Sequence, residues 1–297
     1  GNNHNGSYEK AIEMIDDSID IGVDCVKFQM RHIEEVYRAR SLQKDGEDLG
    51  TEYVIDLLKR FELSIDEHRK LSEYCDQKDI LYMCTAWDSK SVDILESFNI
   101  KAYKVASADL TNMPLLDKLI STNKPLILST GMSNFNEIKK AVKAIEEEGN
   151  KKISILHCVS NYPTEIKDVN LNVIKTLKKK FKYKIGLSDH TNNDLTSVLA
   201  TTLGAEIIEK HIMPSYKLKN WADAASSLDV KDFGQMIFKI RNIENAYGSS
   251  QRKVFNCEKK WKIKAHKSLY AAKLIKKGSI IKPSDIIIRR PKGKTKP

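Results

Sequence analysis

Polar side chains suited to anion binding recur at one kind of place in this chain, at or near the end of a short apolar run. They are two lysines and five hydroxyls, namely Lys27, Thr85, Lys104, Ser107, Ser129, Ser160 and Ser188. A Lys supplies a point charge to phosphate or carboxylate, and a Ser or Thr hydroxyl donates a hydrogen bond without adding bulk. If the apolar runs are strands that end at one rim, these residues predict a cradle for an anionic ligand.

Two histidines end the last two of these runs. His190 and His211 each follow a charged residue, Asp189 and Lys210 respectively. Taken singly, either could be a hydrogen-bonded structural histidine. On neighbouring strands, their imidazoles can share one divalent metal. His157 lies before the end of its run, and we expect it to pack or to form a hydrogen bond.

The apolar runs alternate with amphipathic helical patterns between Gly6 and Gly248, which is typical of βα units with a parallel sheet. The predicted strands are Cys25–Gln29, Ile80–Cys84, Ala102–Ala106, Pro125–Ser129, Ile153–His157, Lys184–Ser188 and Glu206–Lys210. Helices are predicted at 8–21, 64–78, 89–97, 113–121, 134–148, 170–181, 194–203 and 229–246. Ser64 with Glu67, and Asn134 with Glu137, form capping-box patterns at two of the helix starts.

Eight helical patterns with seven strands predict a (β/α)8 barrel whose first strand precedes Gly1. A doubly wound open sheet is the alternative, but no G-x-G-x-x-G follows any strand. The connection 31–63 is long, and we expect it to hold a short helix at 51–60 and to act as a lid. Catalytic groups of such barrels sit at the carboxyl ends of the strands, where the polar residues above lie.

The composition excludes a membrane-spanning protein, because no run approaches the roughly 18 apolar residues that a span requires. Five cysteines form no C-x-x-C pair, which favours reduced thiols in the cytoplasm. The net charge of +10 is uneven: residues 249–297 carry +14 and residues 1–248 carry −4. The basic tail could bind nucleic acid, but no nucleic-acid motif accompanies it, and docking on an acidic neighbour is the favoured interpretation.

The alternation of strand and helix patterns ends at Gly248, and a polar, basic stretch followed by short predicted strands takes its place. The predicted organisation is a barrel domain over 1–248, a linker over 249–264 and a partial β-rich domain over 265–297. Lys276, Lys277 and Gly278 form a predicted turn in the last segment. This segment has too little apolar content to complete a fold by itself, so we expect it to be the start of a small domain.

Seven motifs identify a family resemblance over nearly the whole chain. They are NHNG (3–6), KFQ (27–29), YKVASAD (103–109), LILSTGM (126–132), LHCVSNYPT (156–164), GLSDHT (186–191) and GAEIIEKH (204–211). In this order and spacing they resemble the N-acetylneuraminate (sialic acid) synthases and their legionaminate, pseudaminate and spore-coat relatives. The segment 277–291 resembles the first half of that family's C-terminal antifreeze-protein-like domain.

The resemblance implies an enzyme that condenses phosphoenolpyruvate with an N-acyl hexosamine, typically N-acetylmannosamine, to give a nonulosonic acid and phosphate. C3 of phosphoenolpyruvate attacks the sugar aldehyde, water adds at C2, and phosphate leaves by C–O cleavage. Asp109 or a metal-bound water would transfer protons. It also implies a domain-swapped homodimer that needs a divalent metal, Mn²⁺ or else Mg²⁺ or Co²⁺. With the composition and the cysteine pattern, we expect a cytoplasmic protein with neither a specific nucleic acid nor a membrane as partner.

The same resemblance implies a role for each candidate residue. Lys27, Lys104, Asp109 and Asp223 would be catalytic. The phosphoenolpyruvate ligands would be Lys27, Thr85, Lys104, Ser107, Ser129, Ser188 and Ser160 or Asn161. The sugar ligands would be Gln29, Asp109, Tyr162, Asp223 and, from the partner subunit, Arg290. His190 and His211 would bind the metal.

Two departures from the family pattern concern Thr85-Ala86-Trp87, where many members have Thr-Pro-Phe or Thr-Pro-Trp, and 221–224, where Trp-Ala-Asp-Ala replaces Gly-Pro-Asp-His. The family's glutamate before the position of Gly1 is absent from this sequence. Two alternative functions stay open. One is a synthase of octulosonate or heptulosonate phosphates, which would need a further basic pocket that the sequence does not reveal, and the other is a catalytically silent carbohydrate-binding relative.

Overall fold

A parallel eight-stranded sheet with helices between its strands forms the first part of the chain. The computed structural model describes residues 2–37, 55–98, 100–214 and 223–293. The strands are β1 (Cys25–Met30), β2 (Leu81–Ala86), β3 (Tyr103–Val105), β4 (Leu126–Ser129), β5 (Ile153–Cys158), β6 (Lys184–Asp189), β7 (Ile208–Met213) and β8 (Ser227–Asp229). Each pairs in parallel with the next, and the curled sheet gives a (β/α)8 barrel-like fold, as predicted.

All seven predicted strands are present, whereas β8 was missed. Its three residues, Ser227 to Asp229, contain one apolar side chain, too few for a recognisable apolar run. The count of seven strands, from which a first strand before Gly1 was expected, was therefore one short of the eight strands in the described residues.

The helices follow the predicted positions within a few residues, except the short helix at Ile33–Val36, which was not predicted. They are α1 (Tyr8–Asp20), α2 (Ile33–Val36), α3 (Ile55–Phe61), α4 (Ile65–Gln77), α5 (Ser89–Glu96), α6 (Met113–Ser121), α7 (Phe135–Glu147), α8 (Asn172–Lys180), α9 (Leu195–Thr202) and α10 (Val230–Tyr247). Both predicted capping boxes form, at the starts of α4 and α7. The predicted lid overlaps α3, but 38–54 lie outside the described residues.

Successive side chains along the strands point to opposite faces of the sheet, so one face packs on the apolar core and the other carries different residues. Phe28 and Met30 of β1 are buried in the apolar core, together with Tyr82, Cys84 and Ala86 of β2. Because successive strand residues point to opposite faces, the intervening Lys27, Gln29 and Thr85 share the other face. This face therefore carries the polar residues that the sequence singled out.

The chain divides into two compact units, Gly1–Ala246 and Tyr247–Pro297. In the second unit, α11 (Asn256–Ala265) precedes β9 (Ser268–Ala271), which pairs antiparallel with β10 (Ile286–Arg289). The segment predicted as a linker thus contains a helix. Among the described residues, no helix has the length and apolar character needed to cross a membrane.

Candidate active site

One of the two predicted anion-binding lysines, Lys104, pairs with a carboxylate that was not predicted, that of Glu209. Lys27 Nζ lies 3.5 Å from Thr85 Oγ1, and the buried Lys104 Nζ lies 3.6 Å from Glu209 Oε1. Ser188 donates a hydrogen bond of 2.8 Å to the same Glu209 oxygen. Lysine, hydroxyl and carboxylate from strands β3, β6 and β7 therefore share one polar cluster.

Charge balance in this cluster keeps Glu209 ionised. Burial alone would raise the pKa of its carboxyl, but Lys104 and Lys27 outweigh burial and lower that pKa to about 2. Burial lowers the pKa of Lys104, and Glu209 opposes this shift. Glu209 lies two residues before His211 on β7, so strand alternation could have placed it on the same face.

Serine hydroxyls near the ends of β4 and β5 lie close together, but two of them form no hydrogen bond within the described part of the chain. Among the described residues, the buried hydroxyls of Ser129 and Ser160 have no hydrogen-bond partner. The Ser107 hydroxyl accepts a hydrogen bond of 3.0 Å from the Gly131 amide. A Cβ on Gly131 would lie 2.2 Å from Ser160 Oγ and 2.8 Å from Ser107 Oγ, so a larger residue here would displace both serine hydroxyls. Unpaired buried hydroxyls beside lysines are suited to a ligand rich in oxygen acceptors.

His190 and His211 lie side by side, with their ring centroids 5.4 Å apart. Nδ1 of His190 is 2.9 Å from the carbonyl oxygen of Val159. Nδ1 of His211 is 3.2 Å from Asp223 Oδ2, although this contact is not aligned as a hydrogen bond. An oxygen facing Nδ1 leaves Nε2 as the ligating atom, the usual arrangement around metal-binding histidines.

The pKa values of the two rings are shifted in opposite directions, because their neighbours differ. Burial disfavours the charged form of His190, but Cys158 and the Val159 carbonyl outweigh it and raise the pKa. Burial lowers the pKa of His211 well below its usual value, and the neighbouring His190 adds to this effect. A neutral His211 imidazole can donate its lone pair to a metal.

The imidazole pair fits a divalent ion that takes its other ligands from outside the described side chains. In the ranges that the structure describes, no group of three or more His, Cys, Asp and Glu side chains gathers around one point. Catalytic zinc sites have three protein ligands and an open position, so the two imidazoles would supply part of such a coordination set. His157 Nε2 donates a hydrogen bond of 2.6 Å to the Val169 carbonyl oxygen, which confirms its hydrogen-bonding role.

A buried ion pair fixes the strands that carry the histidines. Lys210 Nζ lies 3.0 Å from Asp189 Oδ2, and both side chains are fully buried. Asp189 also accepts hydrogen bonds from Thr196 and Ser197. Because Asp189 and Lys210 are register partners, the pair aligns His190 with His211.

Three of the predicted sugar ligands, Tyr162, Asp109 and Arg290, have different surroundings. Tyr162 packs on the imidazole pair, with its ring centroid 4.2 Å from that of His190 and 6.2 Å from that of His211. Asp109 is buried, which raises its pKa, and its Oδ2 has no hydrogen-bond partner among the described residues. Arg290 follows β10 and belongs to the second unit.

Gln29 contacts two residues whose interaction the sequence did not reveal. Its Oε1 accepts hydrogen bonds from Arg31 and, at 3.2 Å, from Trp87 Nε1. The guanidinium carbon of Arg31 lies 4.9 Å from the centroid of the Trp87 ring. Arg31 and Trp87 thus form one polar and aromatic surface with Gln29, beyond the ends of β1 and β2.

Comparison with known proteins adds a consistent set of similarities. A family model described as the NeuB family matches residues 14–252. An uncharacterized protein of Methanocaldococcus jannaschii is 40% identical over 98% of this chain and 83% of its own length. The N,N'-diacetyllegionaminic acid synthase of Campylobacter jejuni is 34% identical over 98% of this chain and 88% of its own length. A solved N-acetylneuraminic acid (sialic acid) synthetase of Leptospira borgpetersenii superposes with a TM-score of 0.77 at 30% identity, covering 88% of this chain and 87% of that one.

Proposed function

The chain belongs to the NeuB family of phosphoenolpyruvate-dependent transferases, and we propose that it condenses phosphoenolpyruvate with an N-acyl hexosamine to give a nonulosonic acid and phosphate. N-acetylmannosamine is the reference acceptor. The observation that carries the proposal is the pair of unpartnered buried hydroxyls, Ser129 and Ser160, near strand ends that also present Lys27 and Lys104.

Phosphoenolpyruvate binds in this proposal at the lysine and serine cluster. Lys27 and Lys104 offset the carboxylate and phosphate charges, while the hydroxyls donate hydrogen bonds. The contributing hydroxyls are those of Thr85, Ser107, Ser129, Ser160 and Ser188, with Asn161 as an alternative to Ser160. Glu209 holds the ammonium of Lys104 in place before substrate enters.

The acceptor sugar lies above this cluster, against Gln29, Tyr162 and Asp223. Asp109 moves a proton in this proposal, because its raised pKa lets the carboxyl exist in both forms nearer to neutral pH than an exposed Asp does. The carbon–carbon bond forms from C3 of phosphoenolpyruvate to the aldehyde carbon. Water then adds at C2, and the phosphate leaves with its bridging oxygen.

The metal of this proposal is a divalent ion held by His190 and His211, with Mn²⁺ as first choice and Mg²⁺ or Co²⁺ as alternatives. A bound ion would supply a Lewis acid to the acceptor's aldehyde oxygen. The protein orients the two imidazole rings, since the Val159 carbonyl faces Nδ1 of His190 and the Asp223 carboxylate faces Nδ1 of His211.

The second unit completes the site in this proposal. We assign residues 265–297 to an antifreeze-protein-like domain, joined to the barrel domain 1–248 by 249–264. In a domain-swapped homodimer, Arg290 would reach the sugar bound by the other subunit.

The test is metal-dependent release of phosphate from phosphoenolpyruvate in the presence of an N-acyl hexosamine. We expect release with Mn²⁺ and its loss with a chelator. His190→Ala and His211→Ala should abolish activity and leave the circular dichroism spectrum unchanged. Lys104→Met should raise the KM for phosphoenolpyruvate far more than the KM for sugar. Phosphate release that needs neither sugar nor metal would contradict the proposal.

A further inference from the structure

The inner face of β1 presents a ladder of polar side chains that continues past the strand. Phe28 and Met30 point into the apolar core, so Lys27 and Gln29 point to the opposite face. The hydrogen bond from Arg31 to Gln29 shows that Arg31 continues this series. At about 3.3 Å per residue, the backbone rises about 13 Å from Lys27 to Arg31. Lys27 is therefore the deepest of the three and Arg31 the outermost.

Arg31 is held from both sides by backbone contacts. The Trp87 amide donates a hydrogen bond of 3.1 Å to the Met30 carbonyl, directly before Arg31. The His32 amide, directly after it, donates 2.7 Å to Asp88 Oδ2. The guanidinium then stacks on Trp87 and donates to Gln29. A cation fixed in this way loses little conformational entropy when it binds a ligand.

The guanidinium keeps unused donors. Across residues 2–37, 55–98, 100–214 and 223–293, no carboxylate lies within ion-pair distance of Arg31. Burial raises the pKa of Glu62 and the charge of Arg31 opposes this shift, but the two side chains form no ion pair. A guanidinium has five N–H donors, of which the structure assigns one group to Gln29.

We propose that Arg31 binds a phosphate ester on the acceptor sugar, at the end remote from the reacting aldehyde, so that the substrate is a phosphorylated N-acyl hexosamine. This inference rests on the proposed function. The order of the ladder supports it: Lys27 lies where phosphoenolpyruvate binds, Gln29 contacts the sugar, and Arg31 meets the sugar's far end. An Arg fork matches a phosphate in a bidentate geometry, whereas a neutral hydroxyl would leave the charge uncompensated.

The experiment compares N-acetylmannosamine 6-phosphate with N-acetylmannosamine, each with phosphoenolpyruvate and Mn²⁺, using the full chain. We expect kcat/KM to favour the phosphorylated sugar at least ~10-fold, the range of a hydrogen bond to a charged group. Arg31→Met should remove this preference, leaving the KM for phosphoenolpyruvate within about twofold, and Arg31→Lys should restore part of it. The matched control is Arg69→Met, because Arg69 stacks on Phe98 in the same way on the outer helix α4.

The outcomes separate the two proposals. Equal use of both sugars, or a preference that survives in Arg31→Met, would overturn the role of Arg31 while the condensation itself stands. Phosphate release with neither sugar would overturn the proposed function and this inference with it. A preference lost in Arg31→Met but kept in Arg69→Met supports the inference.

Discussion

At the scale of single residues, Ser129 and Ser160 carry buried hydroxyls that reduce the stability of the unliganded protein. Both hydroxyls are buried without a partner among the described residues, whereas Ser91, equally buried, donates to Asp88 at 2.7 Å. An unpaired buried polar group costs about 1–3 kcal/mol. The proposed explanation is that phosphoenolpyruvate supplies the missing acceptors, so the cost is offset only in the complex.

Ser129→Ala tests this explanation. We expect no loss of stability, or a gain of up to about 1 kcal/mol, because the substitution removes an unsatisfied hydroxyl. The KM for phosphoenolpyruvate should rise at least ~5-fold, the cost of one lost hydrogen bond. Urea denaturation and initial-rate kinetics measure the two effects. Ser91→Ala is the control and should lose stability with little change in KM; a Ser129→Ala variant that is destabilised instead would contradict the explanation.

Residue types at strand ends predicted most members of the polar cluster, but not which of its side chains contact one another. Lys104 and Ser188 could be recognised one at a time from the sequence. The pairing of Glu209 with Lys104 and the stacking of Arg31 on Trp87 could not, because both contacts are made across strands. Such contacts depend on register, which a single sequence without paired strands does not specify.

At the scale of elements, the ion pair between Asp189 and Lys210 joins β6 to β7 beneath the imidazoles. Lys210→Met leaves a buried carboxylate without its cation, and we expect a loss of about 3–5 kcal/mol in the free energy of unfolding. The same substitution at Lys10, whose pair with Glu13 is exposed, should cost less than about 0.5 kcal/mol. Urea denaturation of the two variants checks the difference, and equal losses would contradict it.

His68 links α4 to β2, and it makes the stability depend on pH. Its Nδ1 lies 2.9 Å from the Tyr82 hydroxyl, and burial lowers its pKa to about 4. In the unfolded chain the ring takes up a proton near pH 6.5, so stability from this residue is complete above about pH 6.5 and is lost as the pH falls towards 4. The full loss is about 3 kcal/mol.

The measurement is the free energy of unfolding of the wild type and of His68→Gln between pH 8 and pH 4. We expect the wild type to lose stability more steeply over this range, because Gln cannot take up a proton in the unfolded state. The difference between the proteins at pH 8 reports packing alone and serves as the reference. Parallel pH profiles would show that His68 is not the group responsible.

Element positions were predictable where periodicity is strong, and not where a strand is short. The capping box of Ser64 and Glu67 and the apolar spacing of α4 fixed that helix to within a residue. By contrast, β8 forms because Leu228 and its neighbours pair with β7. This pairing is a tertiary contact, and the local sequence contains no pattern that predicts it. The helix in 249–264 was also hidden, since a polar, basic segment carries little apolar periodicity.

The whole molecule is electrically divided, with +14 on residues 249–297 and −4 on residues 1–248. Complementary charge favours association of a basic domain with an acidic barrel. A basic domain also attracts nucleic acid, but through a salt-dependent contribution that does not read sequence. We therefore expect any nucleic-acid binding to disappear at physiological salt.

The proposed exchange of second units between subunits can be tested by complementation. Arg290→Ala and Lys104→Ala, each made in the complete protein, should be nearly inactive alone, because one removes the sugar ligand and the other a phosphoenolpyruvate ligand. Mixing them under conditions that let subunits exchange should yield hybrid dimers with one intact composite site. Statistical mixing in a two-fold dimer gives about a quarter of the wild-type sites. Mixing Lys104→Ala with the Lys104→Ala/Arg290→Ala double variant is the control and should stay inactive, whereas a monomer with full activity would refute the exchange.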